Sequence, residues 1–303
     1  VAARGSSDHA AIYAKYAWAA LGGFPVALAT PSLHTLYASP PRMSRALVVG
    51  ISQSGQSPDI VAVLADARRQ GRPTLAITND GASPLAAAAD SVLELGAGAE
   101  RSVAATLTYT AELAVVAALA AHWSGAPARL EELRRLPDLV LAALEGADQI
   151  ATRAERYRYM ESCAVVGRGY HTATAYELGL KLKELTYITA TAYSSADFRH
   201  GPIATVSEGT PVVLIMPAGH TFDDLRALAA DLRALGAELL VISDQQEALA
   251  LAQTPLPLPA GIPEWLGPLP AIVPGQLFAL HLTLAKGFDP DAPRGLRKVT
   301  RTR

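Results

Sequence analysis

Two kinds of hydrophobic pattern alternate along this chain. Runs at Ala46–Ile51, Pro73–Thr78, Val212–Met216 and Ala237–Ile242 are apolar apart from Thr74, Thr78 and Glu238 and show no polar alternation. Such runs predict strands buried on both sides of a parallel sheet. Between them, Asp59 to Ala65 and Asp223 to Leu235 repeat apolar positions every three or four residues, which predicts helices. Strands alternating with helices predict an α/β protein built on a doubly wound parallel sheet. The alternation runs through twice. Arg4 and Arg168, Gly55 and Gly219, and Asp80 and Asp244 hold matching places in the two runs, each pair 164 positions apart. Ser124-Gly125-Ala126-Pro127 marks the join, so the expected domains are residues 1–126 and 127–303. A helix from Arg129 to Leu144 is expected to lead into the second. Seven prolines from Pro255 to Pro274 argue against a helix or a central strand there and predict a segment wrapping the surface.

The candidate chemistry begins at Ser52-Gln53-Ser54-Gly55-Gln56-Ser57, between a predicted strand and a helix with Pro58 in its first turn. Such a loop aims backbone N–H groups and serine hydroxyls at the positive end of a helix, a seat for a phosphate. A serine that only caps the helix is the plainer alternative. Neither nucleotide-binding glycine motif occurs, so a nucleotide is not the expected guest. The second copy has Pro217, Ala218 and Thr221 at the aligned places, so the seat is expected once per chain. What the second copy offers instead is Glu177, Lys181 and Glu184, spaced to share one helix face, with Lys183 pointing elsewhere. That face is either a solvated, ion-paired surface or a carboxylate base tuned by a lysine.

Composition narrows the class further. Half of the 303 residues are hydrophobic, 18% are charged and the net charge is −2, which gives no footprint for nucleic acid or a membrane surface. Leu113 to Trp123, the longest apolar stretch, is too short to span a bilayer. The single Cys163 lies in an apolar run and reads as a buried structural thiol, compatible with a reducing cytoplasm. The seven histidines show no metal-ligand spacing, so neither a metal nor another cofactor is expected. The chain starts without Met, inside an expected strand, and sequence upstream of Val1 is expected.

Taken together, Arg4–Ser7, Ser52–Ser57, Glu100–Thr106, Glu177–Glu184, Phe198-Arg199-His200-Gly201-Pro202 and Pro293–Thr300 resemble the sugar isomerase (SIS) superfamily. The resemblance covers nearly the whole chain and is to the isomerase half of glucosamine-6-phosphate synthase. The ending Gly295–Thr300 is most similar to the stand-alone SIS-type glucosamine-6-phosphate deaminases. The resemblance implies two tandem SIS domains. It implies that Ser7, Ser52, Gln53, Ser54 and Ser57 bind the phosphate and nearby hydroxyls, with Val103 also against the substrate. It implies Glu184 as the base moving a proton between C1 and C2, supported by Glu177 and Lys181. His200 would open the sugar ring from a partner subunit, and Lys298 would close over the substrate and form an imine with a keto sugar. On residues alone, His200 also reads as a loop histidine beside a Gly-Pro turn, and Lys298 as a solvated tail lysine. An amine that must lose its proton cannot be replaced by arginine, and this chain has only five lysines. The family commonly has Thr-Lys where this chain has Thr106-Leu107. The expected activity is glucosamine-6-phosphate deaminase, releasing fructose 6-phosphate and ammonia. The alternatives are an isomerase of another sugar phosphate and a non-catalytic sugar-phosphate sensor. The whole synthase would need a glutaminase domain that these residues do not supply. A phosphorylated sugar and a homodimer with shared sites are the expected partners.

Overall fold

The computed structural model describes residues 1–296 and 298. They form two compact units. One is Val1–Ala126 with the tail residues Gly295, Leu296 and Lys298; the other is Pro127–Arg294. The tail joins the first unit, not the second, because the Lys298 ammonium donates to the Ser102 carbonyl at 2.6 Å.

The first unit runs α1 (Ser6–Gly22), α2 (Ser32–Thr35), β1 (Val48–Ile51), α3 (Pro58–Arg69), β2 (Thr74–Thr78), α4 (Pro84–Ala88), β3 (Ser91–Glu94) and α5 (Leu107–Ser124). The three strands are parallel in the order β1-β2-β3. Ala2 extends this sheet beyond β1, donating its N–H to Val49 O and accepting from Ile51 N–H, and Ala29 N–H in turn donates to Val1 O. Val48 and Ala76 pack with Ile60, Val63 and Leu64 of α3 and Leu85 of α4. The alternate positions Val49, Ile51, Leu75 and Ile77 are also buried and face α1 and α5. With helices on both faces, β1 and β2 could not carry a polar face, which is why their sequence shows no polar alternation.

The second unit runs α6 (Pro127–Arg134), α7 (Leu136–Leu144), α8 (Ala147–Glu155), β4 (Ser162–Gly167), α9 (His171–Thr186), β5 (Thr189–Ser194), α10 (Ser195–Arg199), β6 (Pro211–Ile215), α11 (Phe222–Ala234), β7 (Glu238–Ser243), α12 (Gln246–Leu249), β8 (Thr254–Pro257) and α13 (Pro268–Ala285). Its five parallel strands lie in the order β5-β4-β6-β7-β8. The order reverses between β4 and β6, the switch point at which open α/β sheets place their ligands. On one face Leu225, Leu228, Ala229 and Leu232 of α11 pack on Val212, Leu214, Leu239 and Val241; α9 and α13 pack together on the other. Cys163 is buried on β4, and burial pushes its thiol up to about 12, well away from a reactive thiolate.

Two sequence expectations are corrected. The single helix Arg129–Leu144 is two, α6 and α7, because Pro137 sits in the first turn of α7 and cannot continue the preceding helix. The proline-rich segment does not simply wrap the surface. Pro255 and Pro257 occupy the edge strand β8, whose outer side needs no ladder donor, while Pro268 and Pro270 fall in the first turn of α13, whose N–H groups have no intrahelical partner. Only Pro274 is interior, and α13 is buried against α9, α8 and α7. Among the described residues α13 alone is long and apolar enough to cross a membrane, and 67% of it is buried inside the fold.

His171, the first residue of α9, is buried so close to Gly267 that a methyl group there would come within 2.7 Å of its Nε2. That nitrogen has no hydrogen-bond partner among the described residues, and burial pushes the imidazole down to about 3. The native state therefore holds it neutral while an unfolded chain, at 6.5, takes up a proton. Stability from this residue is complete above the unfolded value and is lost as pH falls toward the folded one. In urea titrations the native chain should lose stability between pH ~7 and ~5, and His171→Phe should lose less, by at most about 1.4 kcal/mol per pH unit. Equal losses in both would show that His171 does not set this dependence.

Candidate active site

In the first unit, Ser52–Ser57 joins β1 to α3. Gly55 holds the turn at φ +60, and a methyl group on it would meet the Ser83 hydroxyl at 2.1 Å, so no other residue fits. Its N–H donates to Ser52 O and Ser52 Oγ, both at 3.2 Å, and its carbonyl accepts from Leu85 N–H at 3.1 Å. The Gln53 carbonyl accepts from Asn79 N–H at 3.1 Å and from the Thr78 hydroxyl at 3.3 Å. Gln56 N–H donates to Ser54 Oγ at 3.3 Å. Ser52 and Ser54 thus accept from the loop itself, which leaves their hydroxyl protons to donate elsewhere. The main-chain N–H groups of Gln53, Ser54 and Ser57 have no acceptor among the described residues. Ser57 precedes α3 but makes no side-chain cap bond, so capping does not explain the serine there. A pinned loop with free donors at a helix start can hold an anion.

The other residues of the first unit flank this loop in sequence. Arg4 Nε contacts Asp59 Oδ2 at 2.7 Å, tying the turn before α1 to the first turn of α3. Ser7 is buried and donates to Glu112 Oε1 of α5 at 2.7 Å. Val103 is half-buried just before α5. Glu100 gathers the start of that helix, accepting N–H groups from Thr106 at 2.6 Å and Leu107 at 2.9 Å and the Thr108 hydroxyl. The Lys298 ammonium lies 3.8 Å from Glu100 Oε2. Burial alone would raise the Glu100 carboxyl, but these hydrogen bonds and Lys298 outweigh it and hold the group below its ordinary value. The structure therefore brings Lys298 to the Val103 segment, and Leu107, where the family has lysine, is exposed.

In the second unit, Glu177, Lys181 and Glu184 share a face of α9, as their spacing predicts. That face is not a solvated surface. Glu177 is buried completely, the Lys181 side chain is 1% exposed, and only Glu184 reaches partial exposure at 21%. The Lys181 ammonium lies 3.5 Å from Glu177 Oε1 and donates to Glu184 Oε2. Lys183 is exposed. His200 caps the C-terminal end of α10, where its N–H donates to Asp197 O at 3.1 Å. Its exposed side chain has no hydrogen bond to the α9 row. The loop aligned with the phosphate seat is already engaged: Glu264 takes the His220 N–H at 2.9 Å and Asp244 takes the Ala218 N–H at 2.8 Å. No group of three or more His, Cys, Asp or Glu among the described residues is placed to hold a metal.

Sequence reasoning gave no role to Glu100 or Glu112. For Glu112 a signal existed, since it is the one acidic residue in α5 and directly precedes that helix's long apolar stretch.

A model of the SIS domain matches residues 1–122 and 160–284. The chain belongs to the SIS family. It is 36% identical over 310 residues to a glutamine–fructose-6-phosphate aminotransferase (isomerizing) of Thermus thermophilus, covering 98% of this chain and 51% of that protein. It thus spans about half the length of the curated relatives it matches. The C-terminal domain of glucosamine-fructose-6-phosphate aminotransferase from Francisella tularensis superimposes with a TM-score of 0.89 at 28% identity, covering 96% of this chain and 86% of that one. The glucosamine-6-phosphate deaminase of Thermotoga maritima gives 0.80 at 20% identity, over 99% and 89% of the two chains, a likeness of fold.

The α9 row makes a stability prediction. Lys181→Met strands a buried carboxylate and should cost about 3–5 kcal/mol. Adding Glu177→Gln should recover much of that in urea unfolding. A Lys181→Met chain as stable as the native one would mean that the row is hydrated.

Proposed function

We propose that this chain is a sugar-phosphate isomerase that moves a proton between C1 and C2 of an open-chain phosphosugar. The observation that supports this reading most is the buried row on α9: a partly exposed carboxylate, Glu184, held by a lysine that is itself fixed by a second carboxylate. A proton shift between adjacent carbons needs one base that reaches both, and a carboxylate so placed does this.

In this reading the Ser52–Ser57 loop holds the phosphate with its free N–H groups and the hydroxyls of Ser52, Ser54 and Ser57. Ser7, Gln53 and Val103 line the sugar. His200 passes the anomeric hydroxyl proton to the ring oxygen, which breaks the ring C–O bond and opens the sugar. Glu184 then removes the proton from C2 of the aldose, or from C1 of the ketose. The C–H electron pair forms the enediol, and the Glu184 carboxyl, whose proton exchanges in part with solvent, returns a proton to the neighbouring carbon. Glu177 and Lys181 hold Glu184 in place. Lys298, released from Ser102, condenses with a ketose carbonyl to an imine and water. The chain works as a homodimer in which His200 serves the neighbouring subunit; sedimentation showing an active monomer would remove that role.

The relatives with 28–36% identity carry aminotransferase (isomerizing) or phosphosugar isomerase names, so isomerisation is put ahead of ammonia release in this reading. Deamination of glucosamine 6-phosphate is the narrower form, supported by the Gly295–Thr300 ending. A time course that follows fructose 6-phosphate, glucose 6-phosphate and ammonia together separates them. The expected result is interconversion of the hexose phosphates without ammonia. Ammonia released in step with fructose 6-phosphate would establish the deaminase. Tight binding with no turnover of any hexose phosphate would contradict both and leave a sensor.

A further inference from the structure

Glu112 of α5 is 1% exposed and accepts the hydroxyl proton of Ser7, in the first turn of α1, at 2.7 Å. The two helices have other means of staying together. Ala10, Ala14 and Ala17 of α1 and Val116 and Ala120 of α5 are buried where the helices pack, and the Trp18 Nε1–H donates to Val116 O at 3.0 Å. Taking a carboxylate out of water is costly even where it is hydrogen-bonded. Fastening alone does not account for an acid at this position.

The place of Ser7 in the fold accounts for it better. The Ala2 segment pairs in parallel with Gly50 of β1. The helices that follow these two neighbours lie on opposite faces of the sheet, α1 with α5 on one and α3 on the other. Such a reversal is the switch point of an open α/β sheet, where a ligand crevice opens between two helix starts. The first turn of α1, with Ser7, flanks it on one side and the Ser52–Ser57 loop on the other. The 2.7 Å contact of Arg4 Nε with Asp59 Oδ2 spans the two. The hydroxyls on the two sides differ in polarity. Ser52 and Ser54 accept from their own loop and keep protons to donate. Ser7 has already given its proton to a carboxylate, which can only accept. No described residue donates to the Ser7 Oγ, so its lone pairs remain to be used.

We propose that Glu112 is a positioning residue that makes Ser7 an acceptor only, so that Ser7 meets a hydroxyl of the sugar and not its phosphate. A phosphate dianion has no proton to give, and it forms no hydrogen bond with an oxygen whose own proton is spent. A sugar hydroxyl donates to Ser7 and still accepts elsewhere. The crevice is thereby divided: the serine loop reads the phosphate by donating, and Ser7 reads the carbon chain by accepting. This rests on the phosphosugar reading above, since it names the part of that substrate which Ser7 touches.

Ligand-observed NMR titration of the whole chain at a pH of about 8, where a phosphate monoester is a dianion, tests this with two ligands. One is fructose 6-phosphate; the other is methyl phosphate, a monoester with no hydroxyl to donate. Ser7→Ala should weaken fructose 6-phosphate roughly threefold to tenfold and leave methyl phosphate within about twofold of its native affinity. Ser57→Ala should weaken both. Glu112→Leu should match Ser7→Ala, because the released hydroxyl has no set direction, and combining the two should weaken binding no further. Glu112→Gln, whose amide oxygen can still take the Ser7 proton, should keep native affinity for both ligands. Equal weakening of the two ligands in Ser7→Ala would put Ser7 on the phosphate. Fructose 6-phosphate binding indifferent to Ser7→Ala and Glu112→Leu would leave the pair as a clasp between helices. Either result overturns the inference while the phosphosugar reading stands; a native chain that binds no fructose 6-phosphate removes both.

Discussion

An ammonium whose side chain is 1% exposed persists inside a packed helix face only if anions compensate it. Lys181 has two, Glu177 and Glu184, both on its own helix. Taking either charge out of water costs several kcal/mol, which mutual attraction offsets only when the geometry is good and the remaining protons are satisfied. The constraint fixes much else. Glu177 must be fully buried beneath the lysine, while Glu184, one turn further on, is left partly exposed with an oxygen in a set position. A helix with so polar a row cannot be stabilised by an ordinary apolar stripe there. It is held from its other sides, where Leu178, Leu182 and Leu185 are buried and α13 packs against it.

The first unit meets an analogous problem with uncharged groups. Its loop after β1 keeps three N–H groups without internal acceptors at the start of α3, an arrangement that is costly when buried and useful when an anion arrives. The loop holds its shape because Gly55 takes a positive φ against Ser83 and because Thr78 and Asn79 at the end of β2 bind the Gln53 carbonyl. The first unit places its serine loop beyond the end of β1, at a helix start, whereas the second carries its charged row along the body of α9, with Glu184 in that helix's last turn.

The strands were the most legible part of the fold. Runs such as Val212–Met216 are apolar at every position because both faces of their sheet are covered, and no other element of that length requires this. The serine loop was legible because it sits between such a strand and a helix with proline in its first turn. The α9 row was only half legible. Spacing of four and three puts Glu177, Lys181 and Glu184 on one face but does not say whether that face meets water or protein. Glu100 escaped because it becomes a helix cap through a loop, and loop closure leaves no periodic trace. The seven prolines misled for a physical reason. Counted together they forbid a helix, yet Pro268 and Pro270 fall in the first turn, where a missing N–H is harmless.

The central claim is that Glu184 moves a carbon-bound proton, and solvent exchange tests it directly. With fructose 6-phosphate in heavy water, proton NMR reports loss of a hydrogen at C1 whether or not a product is released. The native chain should exchange that hydrogen, and Glu184→Gln should slow the exchange by roughly a hundredfold or more while still binding the sugar phosphate. Exchange that proceeds unchanged in Glu184→Gln would contradict the account, as would a native chain that binds fructose 6-phosphate and exchanges nothing.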